Sequence, residues 1–219
     1  MNVLGQGIYS HQEAARLIGV SSQRLRGWFF GWTKGAGKLL VSDYQGSQVS
    51  FLDLIDAAVV AALREKVSVQ ALRRVYRRLS EMWQTAHPFS RQEFYTDKSG
   101  RRVFVQIVRD QDQDSEFIEV IERQHAMPEV LMPILTKIHY DPDTMFAQKL
   151  PLTEGVSIDP RRRYGKPIVE SCGLATEIIN ETFLSNGRDI DRVADWLGIN
   201  PSEVVHAVQF EEAFSGIAA

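Results

Sequence analysis

The sequence predicts a mainly α-helical chain with small β-hairpins, an α+β fold, organised in three parts at residues 1–86, 87–150 and 151–219. Three observations predict it. Capping patterns precede apolar runs at helical spacing, short period-two runs flank turn-forming clusters, and formal charge is divided unevenly along the chain. Residues 1–85 hold 11 Lys+Arg against 6 Asp+Glu, residues 86–154 hold 8 against 12, and residues 155–219 hold 6 against 10, so a +5 segment precedes two of −4. Only the first part is suited to face phosphates.

At 219 residues, 44% of them hydrophobic and 24% charged, the chain can bury one or two ordinary cores. Nothing in it resembles a membrane span of ~20 apolar residues. The first thirty residues interleave Gln6, His11, Glu13 and Arg16 with apolar ones, unlike a signal peptide, so a soluble, cytoplasmic protein is expected. The single cysteine, Cys172, excludes an internal disulfide and a multi-cysteine zinc site, and reads as a small packing residue.

Ser10-His11-Gln12-Glu13 is a capping box that starts a helix carrying Ala14, Leu17 and Ile18, and Gly19 ends it in a tight turn through Val20. Ser21 or Ser22 caps a second helix. Its Leu25, Trp28 and Phe29 point inward, which leaves Gln23, Arg24 and Gly27 on other faces, with Ser22 and Arg26 near the start and flank. Helix, three-residue turn and helix is the spacing a helix-turn-helix requires, because the first helix braces the second so that its N-terminal side chains reach base edges. Residues 32–38 are loose and basic. Two β-like runs, Lys38–Val41 and Gln48–Phe51, then surround Asp43-Tyr44-Gln45-Gly46 and predict a small hairpin, or wing. Ser50-Phe51-Leu52-Asp53 opens the next helix, and Ser68 another, in which Leu72, Val75, Tyr76, Leu79, Met82 and Trp83 oppose Arg73, Arg74, Arg77 and Arg78.

The run G-I-Y-S-H-Q-E-A-A-R-L-I-G-V-S-S-Q-R-L-R-G-W, followed by a wing and V-S-F-L-D-L-I-D-A-A, resembles the MerR-like winged helix-turn-helix family over about residues 5 to 85. The resemblance implies that the second helix enters the major groove, with Ser22, Gln23, Arg24 and Arg26 as contacts, and that Lys34, Lys38 and the wing touch phosphate or the minor groove. One departure is plain. MerR regulators dimerise through a long coiled-coil helix, whereas Pro88 stops this one after about five turns.

In the middle part, Phe94-Tyr95-Thr96 and Arg102 to Gln106 flank the turn Asp97-Lys98-Ser99-Gly100 and predict a second hairpin, with helix expected between Phe117 and Tyr140 despite Pro128 and Pro133. Glu119, Glu122, His125, His139, Asp141 and Asp143 match no metal-ligand template, so neither a metal nor a cofactor is expected. The five histidines, His11, His87, His125, His139 and His206, are scattered, and no catalytic arrangement supports an enzyme.

Leu150 to Gly155 reads as a linker. Two extended pieces follow, at Val156–Pro160 and Tyr164–Val169, and then three helices: the first capped by Thr176 and ended by Gly187, the second capped by Asp189 and ended by Gly198, the third opened by Asn200-Pro201-Ser202-Glu203. They form a second, homeodomain-like unit with too few basic residues to read DNA. The runs V-S-I-D-P-R-R-R-Y-G-K-P-I-V-E-S-C-G-L-A-T and D-I-D-R-V-A-D-W-L-G-I-N-P-S-E-V-V-H-A-V resemble the C-terminal domain of VapB-type antitoxins, which are partnered with PIN-like ribonuclease toxins. Ser171-Cys172-Gly173 departs from that pattern, which tends to run Gly-Thr-Arg. Together the two resemblances imply a homodimeric antitoxin of a type II toxin-antitoxin system that binds operator DNA, represses its own operon and holds a toxin inactive. Arg161, Arg162 and Arg163 are candidates for the toxin's acidic site, and Phe210 and Phe214 are rival anchors. The alternative is a MerR-like transcriptional regulator that senses a small ligand and has no toxin partner.

Overall fold

A computed structural model describes residues 5–32, 37–44, 46–65, 67–96 and 137–216 of this α+β chain. Two compact units divide it: Tyr9–Ala147 form one, and Met1–Ile8 together with Gln148–Ala219 form the other. The described residues of the expected middle part, up to Ala147, therefore group with the first unit.

In the first unit, β1 (Tyr9–Ser10) leads into α1 (His11–Leu17), where Ser10 and Glu13 complete the expected capping box. A turn through Gly19 follows. Then Ser21 caps α2 (Ser22–Phe30) by accepting a hydrogen bond from the Arg24 amide at 3.3 Å. Leu25, Trp28 and Phe29 are buried as their spacing requires. Gly27 is buried as well, against expectation, because the Trp32 indole lies where a Cβ at residue 27 would stand, 2.5 Å from two ring carbons. Only glycine admits that ring.

The predicted wing hairpin does not form as a pair of neighbouring runs. β2 (Gln48–Val49) instead pairs antiparallel with β1, Tyr9 opposite Val49 and Ser10 opposite Gln48. The run around Leu39 and Leu40 carries no strand, because its hydrogen bonds go elsewhere. The Leu39 and Leu40 amides both donate to the Trp28 carbonyl, at 2.7 and 2.9 Å, and the Arg73 guanidinium donates to the carbonyls of Lys38 and Gly37, at 3.1 and 2.6 Å.

α3 (Phe51–Leu63), with its Ser50–Asp53 capping box, is covered on nearly every side, and α4 (Val69–Trp83) buries Ala71, Leu72, Val75, Tyr76 and Leu79. Arg74, Arg77 and Arg78 stay exposed. α4 is shorter than expected, about four turns, because Gln84 turns left-handed (φ 49°) ahead of Pro88. Pro88–Ser90 form a 3-10 turn, and Glu93–Thr96 are helical (α5) rather than the first arm of a hairpin. Phe94 packs 4.7 Å from Phe89, centroid to centroid, and Phe89 lies 5.3 Å from Tyr76, so the aromatic run is used as a core plug. The rest of that hairpin, residues 97–106, and most of the segment from Phe117 to Tyr140, including Pro128, Pro133, Glu119, Glu122 and His125, lie outside the described residues. So does Lys34. β3 (His139–Tyr140) precedes a turn in which Asp141 Oδ1 accepts from the Asp143 and Thr144 amides at 3.0 and 2.9 Å.

A buried polar cluster ties the loop ahead of β2 and the segment after α4 to α3. Asp53 Oδ2 accepts from the Ser50 amide at 2.8 Å, the Asp43 amide at 3.2 Å and the Ser42 hydroxyl at 3.2 Å. His87 stands between Asp56, 3.2 Å from Nδ1, and Asp43, 3.0 Å from Nε2, while the Ser90 hydroxyl lies 2.8 Å from Asp56 Oδ1 and the Tyr76 hydroxyl 3.1 Å from Asp56 Oδ2. Burial alone would lower the His87 pKa, but Asp43 and Asp56 override it and raise it to about 10. Burial pushes Asp56 up, and Asp53 up to about 6, whereas the hydrogen bond from His87 holds Asp43 below its ordinary value.

In the second unit, β4 (Ala147–Thr153) pairs antiparallel with β5 (Val156–Ile158), which pairs with β6 (Ile168–Val169). Leu150–Thr153 is thus strand and not linker. Its Leu150 faces Ile158. α6 (Thr176–Ser185), α7 (Ile190–Leu197) and α8 (Pro201–Gly216) follow, and α6 packs against α8 and α7. Asp189 caps α7 as expected, donated to by the Arg192 amide at 3.1 Å. Thr176 does not cap α6. It is buried at the first helical position, and its hydroxyl is spent on Glu211 instead.

A histidine whose pKa rises on folding stabilises fully below its unfolded value of 6.5, and that contribution is lost as pH climbs through about 10. The thermal midpoint should therefore fall between about pH 7 and pH 10. His87→Gln should cost about 3 kcal/mol near neutral pH, since it leaves buried carboxylates without their cation. It should also flatten that fall relative to the wild type. Parallel midpoint curves for the two proteins across this window would contradict the assignment.

Candidate nucleic-acid interface

The three apolar anchors of α2 fix its orientation, so its other side is set by spacing: Gln23, Arg24 and Arg26 are exposed and Ser22 is half-buried at the first turn. These four predicted residues stand on one short helix. Lys38 is exposed on the loop clamped to the Trp28 carbonyl, so the backbone that carries it is tied to the end of α2.

Beside α2 lies an open groove of about 710 Å³, lined by Ser10, His11, Ser22, Arg26, Phe30 and Ser47, among others. The end of β1, α1, α2 and the turn just ahead of β2 supply its walls, and the His11 amide donates to the Ser47 carbonyl at 3.2 Å to hold two of them together. His11 is buried against Phe29 (6.4 Å, stacked) and Phe30 (5.3 Å, edge-on). Burial, aided by the Arg26 charge, lowers its pKa and so favours the neutral imidazole. The groove therefore presents one guanidinium, several hydroxyls and an aromatic wall formed by Phe30, which is 47% exposed. That combination suits a phosphate with the sugar edge beside it. The sequence reading missed His11, Phe30, Ser10 and Ser47 as groove residues, because only the pairing of β1 with β2 brings residues 10 and 47 together.

In the second unit, Arg161 is held by Asp159 in a two-point ion pair, Nε to Oδ1 and the terminal nitrogen to Oδ2, both at 3.0 Å. Asp159 lies below its ordinary pKa: burial raises it, but hydrogen bonds from Arg161 and the charge of Arg162 outweigh that. Arg162 and Arg163 are exposed, and Arg163 and Tyr164 are both left-handed (φ 48° and 56°), a backbone cost of about 1–3 kcal/mol each for non-glycine residues. Tyr164 is 61% exposed. Phe210 does not present itself as an anchor: it is buried in the helical core and stacks at 5.4 Å on the half-buried Phe214. The departure at residues 171–173 has local reasons. Ser171 hydrogen-bonds Glu203, and the Arg162 guanidinium fills the space over Gly173 (φ 71°), where a Cβ would collide with it.

No family model and no curated protein matches the chain. Among solved structures it is similar to Rv2018 from Mycobacterium tuberculosis, known from an X-ray crystal structure, with a TM-score of 0.71 and 22% identity over 91% of this chain and 96% of that one. The likeness is one of fold, and it runs nearly the full length of both chains.

Proposed function

We propose that this chain is a DNA-binding antitoxin that represses its own operon and neutralises a PIN-like ribonuclease by direct contact. The observation that carries the DNA half is the outward row of Gln23, Arg24 and Arg26 on a helix whose other side is locked by Leu25, Trp28 and Phe29. In this reading the first unit is a helix-turn-helix, with α2 in the major groove and Ser22 and Lys38 on phosphate. The +5 charge of residues 1–85 supports it. A homodimer would set two such helices about 34 Å apart, so the operator carries inverted half-sites one or more helical turns apart. Lys34 belongs to the same phosphate-contacting set on sequence grounds alone.

The toxin half is supported by the resemblance of residues 156–211 to antitoxin C-terminal domains and by the loop of residues 161–164. Arg162 and Arg163 beside the exposed ring of Tyr164 form a cationic, aromatic tip suited to the acidic, magnesium-binding centre of a ribonuclease. Arg162 also supplies a guanidinium over residue 173, where the antitoxin pattern carries an arginine and this chain has glycine. In this reading Tyr164 takes the anchoring role that sequence reasoning gave to Phe210 and Phe214.

With duplex taken from immediately upstream of the gene, Arg24→Ala and Arg26→Ala should each weaken binding by about 1–3 kcal/mol in a gel-shift assay, with the thermal midpoint unchanged. Wild-type affinity in both variants would remove α2 as the reader. Co-expressed with the product of the neighbouring gene, the full chain should co-purify with a PIN-like protein. A charge-reversed Arg162→Glu, Arg163→Glu variant should lose it, and undiminished co-purification would discard the loop as the contact.

A further inference from the structure

The polar cluster at the head of α3 contains more than hydrogen bonds require. Asp53 is completely buried, and its two oxygens are treated unequally: Oδ2 accepts three hydrogen bonds, whereas Oδ1 has no hydrogen-bond partner and lies 3.8 Å from His87 Nδ1. An unpartnered carboxylate oxygen in such a place is costly, because burial strips its water without returning a donor. Three carboxylates, Asp43, Asp53 and Asp56, also share a single imidazole. Even with His87 doubly protonated, one positive charge faces up to three negative ones.

We propose that Asp43, Asp53 and His87 form a binding site for a divalent first-row transition cation, of which Zn²⁺ is the type. One ligand atom from each lies within 4.8 Å of the other two. Metal–ligand bonds of about 2.0–2.2 Å set the ligands of a tetrahedral cation about 3.3–3.6 Å apart, so the set must close by up to about 1.5 Å, a movement open to the partly exposed Asp43 side chain. One imidazole and two carboxylates are a donor set of mixed softness that suits zinc and its neighbours better than calcium or magnesium. The cation takes the place of a ring proton of His87, which is released to solvent. With Nε2 ligating, Nδ1–H still donates to Asp56 Oδ2, 3.2 Å away, the arrangement in which a carboxylate orients a metal-bound histidine. Asp53 supplies the third ligand, and the positive charge beside it would offset the cost of its carboxylate oxygen that has no hydrogen-bond partner. Asp43, whose side chain is one-third exposed, gives the ion its way in from solvent.

The site joins three segments: the loop that runs from Lys38 to Asp43, the first turn of α3 ten residues on, and the distant stretch after α4. Occupancy would therefore stiffen the loop that carries Lys38. It does not depend on DNA or toxin binding, and its test is separate from theirs.

The test titrates Zn²⁺ into the chelator-stripped full chain by calorimetry, with the thermal midpoint followed in parallel. One Zn²⁺ per chain and a raised midpoint are expected. Asp43→Asn and Asp53→Asn should each weaken binding by at least about tenfold, while His139→Gln, remote in sequence and exposed, should leave it unchanged. If Asp53→Asn fails to fold, Asp43→Asn decides alone, since its side chain is partly in solvent. A wild-type chain that takes up no Zn²⁺, or one whose binding survives Asp43→Asn or moves with His139→Gln, would overturn the proposal.

Discussion

The head of α3 is the constraint on which the first unit depends. α3 is apolar on all sides, yet it carries two aspartates three residues apart, Asp53 and Asp56, on a segment without solvent access. Helical spacing puts them on one face. Buried carboxylates demand donors, and the chain supplies them from outside the helix: Ser42 and the Asp43 amide from one side, His87, Ser90 and Tyr76 from the other. The two loops are thereby given defined positions by the need to satisfy charge, which is more directional than apolar packing. Removing one member would leave the others buried and unpaired.

From that anchor the consequences run outward to the exposed helix. The loop at residues 37–43 is held at Asp43 by α3, at Gly37 and Lys38 by Arg73 of α4, and at Leu39 and Leu40 by the last turn of α2. α2 is in turn fixed by Leu25, Trp28 and Phe29, with Gly27 closed over by Trp32. The side chains proposed to touch DNA therefore sit on a frame whose hydrogen bonds are mostly internal. Such a frame loses little conformational freedom on binding.

Much of this was legible in the sequence where the determinants are local. The capping residues Ser10, Ser50, Ser68 and Asp189 start helices where their spacing to Glu13, Asp53 and the apolar runs says they should. The α2 anchors follow from the same arithmetic. What the sequence hid depends on partners far along the chain. Gln48–Val49 has a strand pattern, but its mate is Tyr9–Ser10, not its neighbour, because the backbone donors of Leu39 and Leu40 are consumed by Trp28. Leu150–Thr153 looked like a linker because Pro151 obscured a strand, and Thr176 looked like a cap because nothing local shows that Glu211 claims its hydroxyl. His87 passed as one of five scattered histidines. Its partners lie 31 and 44 residues away, and the one available signal was the pair of acidic residues inside the apolar stripe of α3.

We propose that the outward side of α2 and the groove beside it form the surface that meets DNA. Backbone amide NMR of the isotopically labelled full chain, titrated with operator duplex, tests it most directly. The largest shifts should fall on Ser22, Gln23, Arg24, Arg26, Lys38 and the groove residues Ser10 and Ser47, with the loop of residues 161–164 unmoved. Shifts concentrated on residues 161–164, with α2 silent, would contradict it.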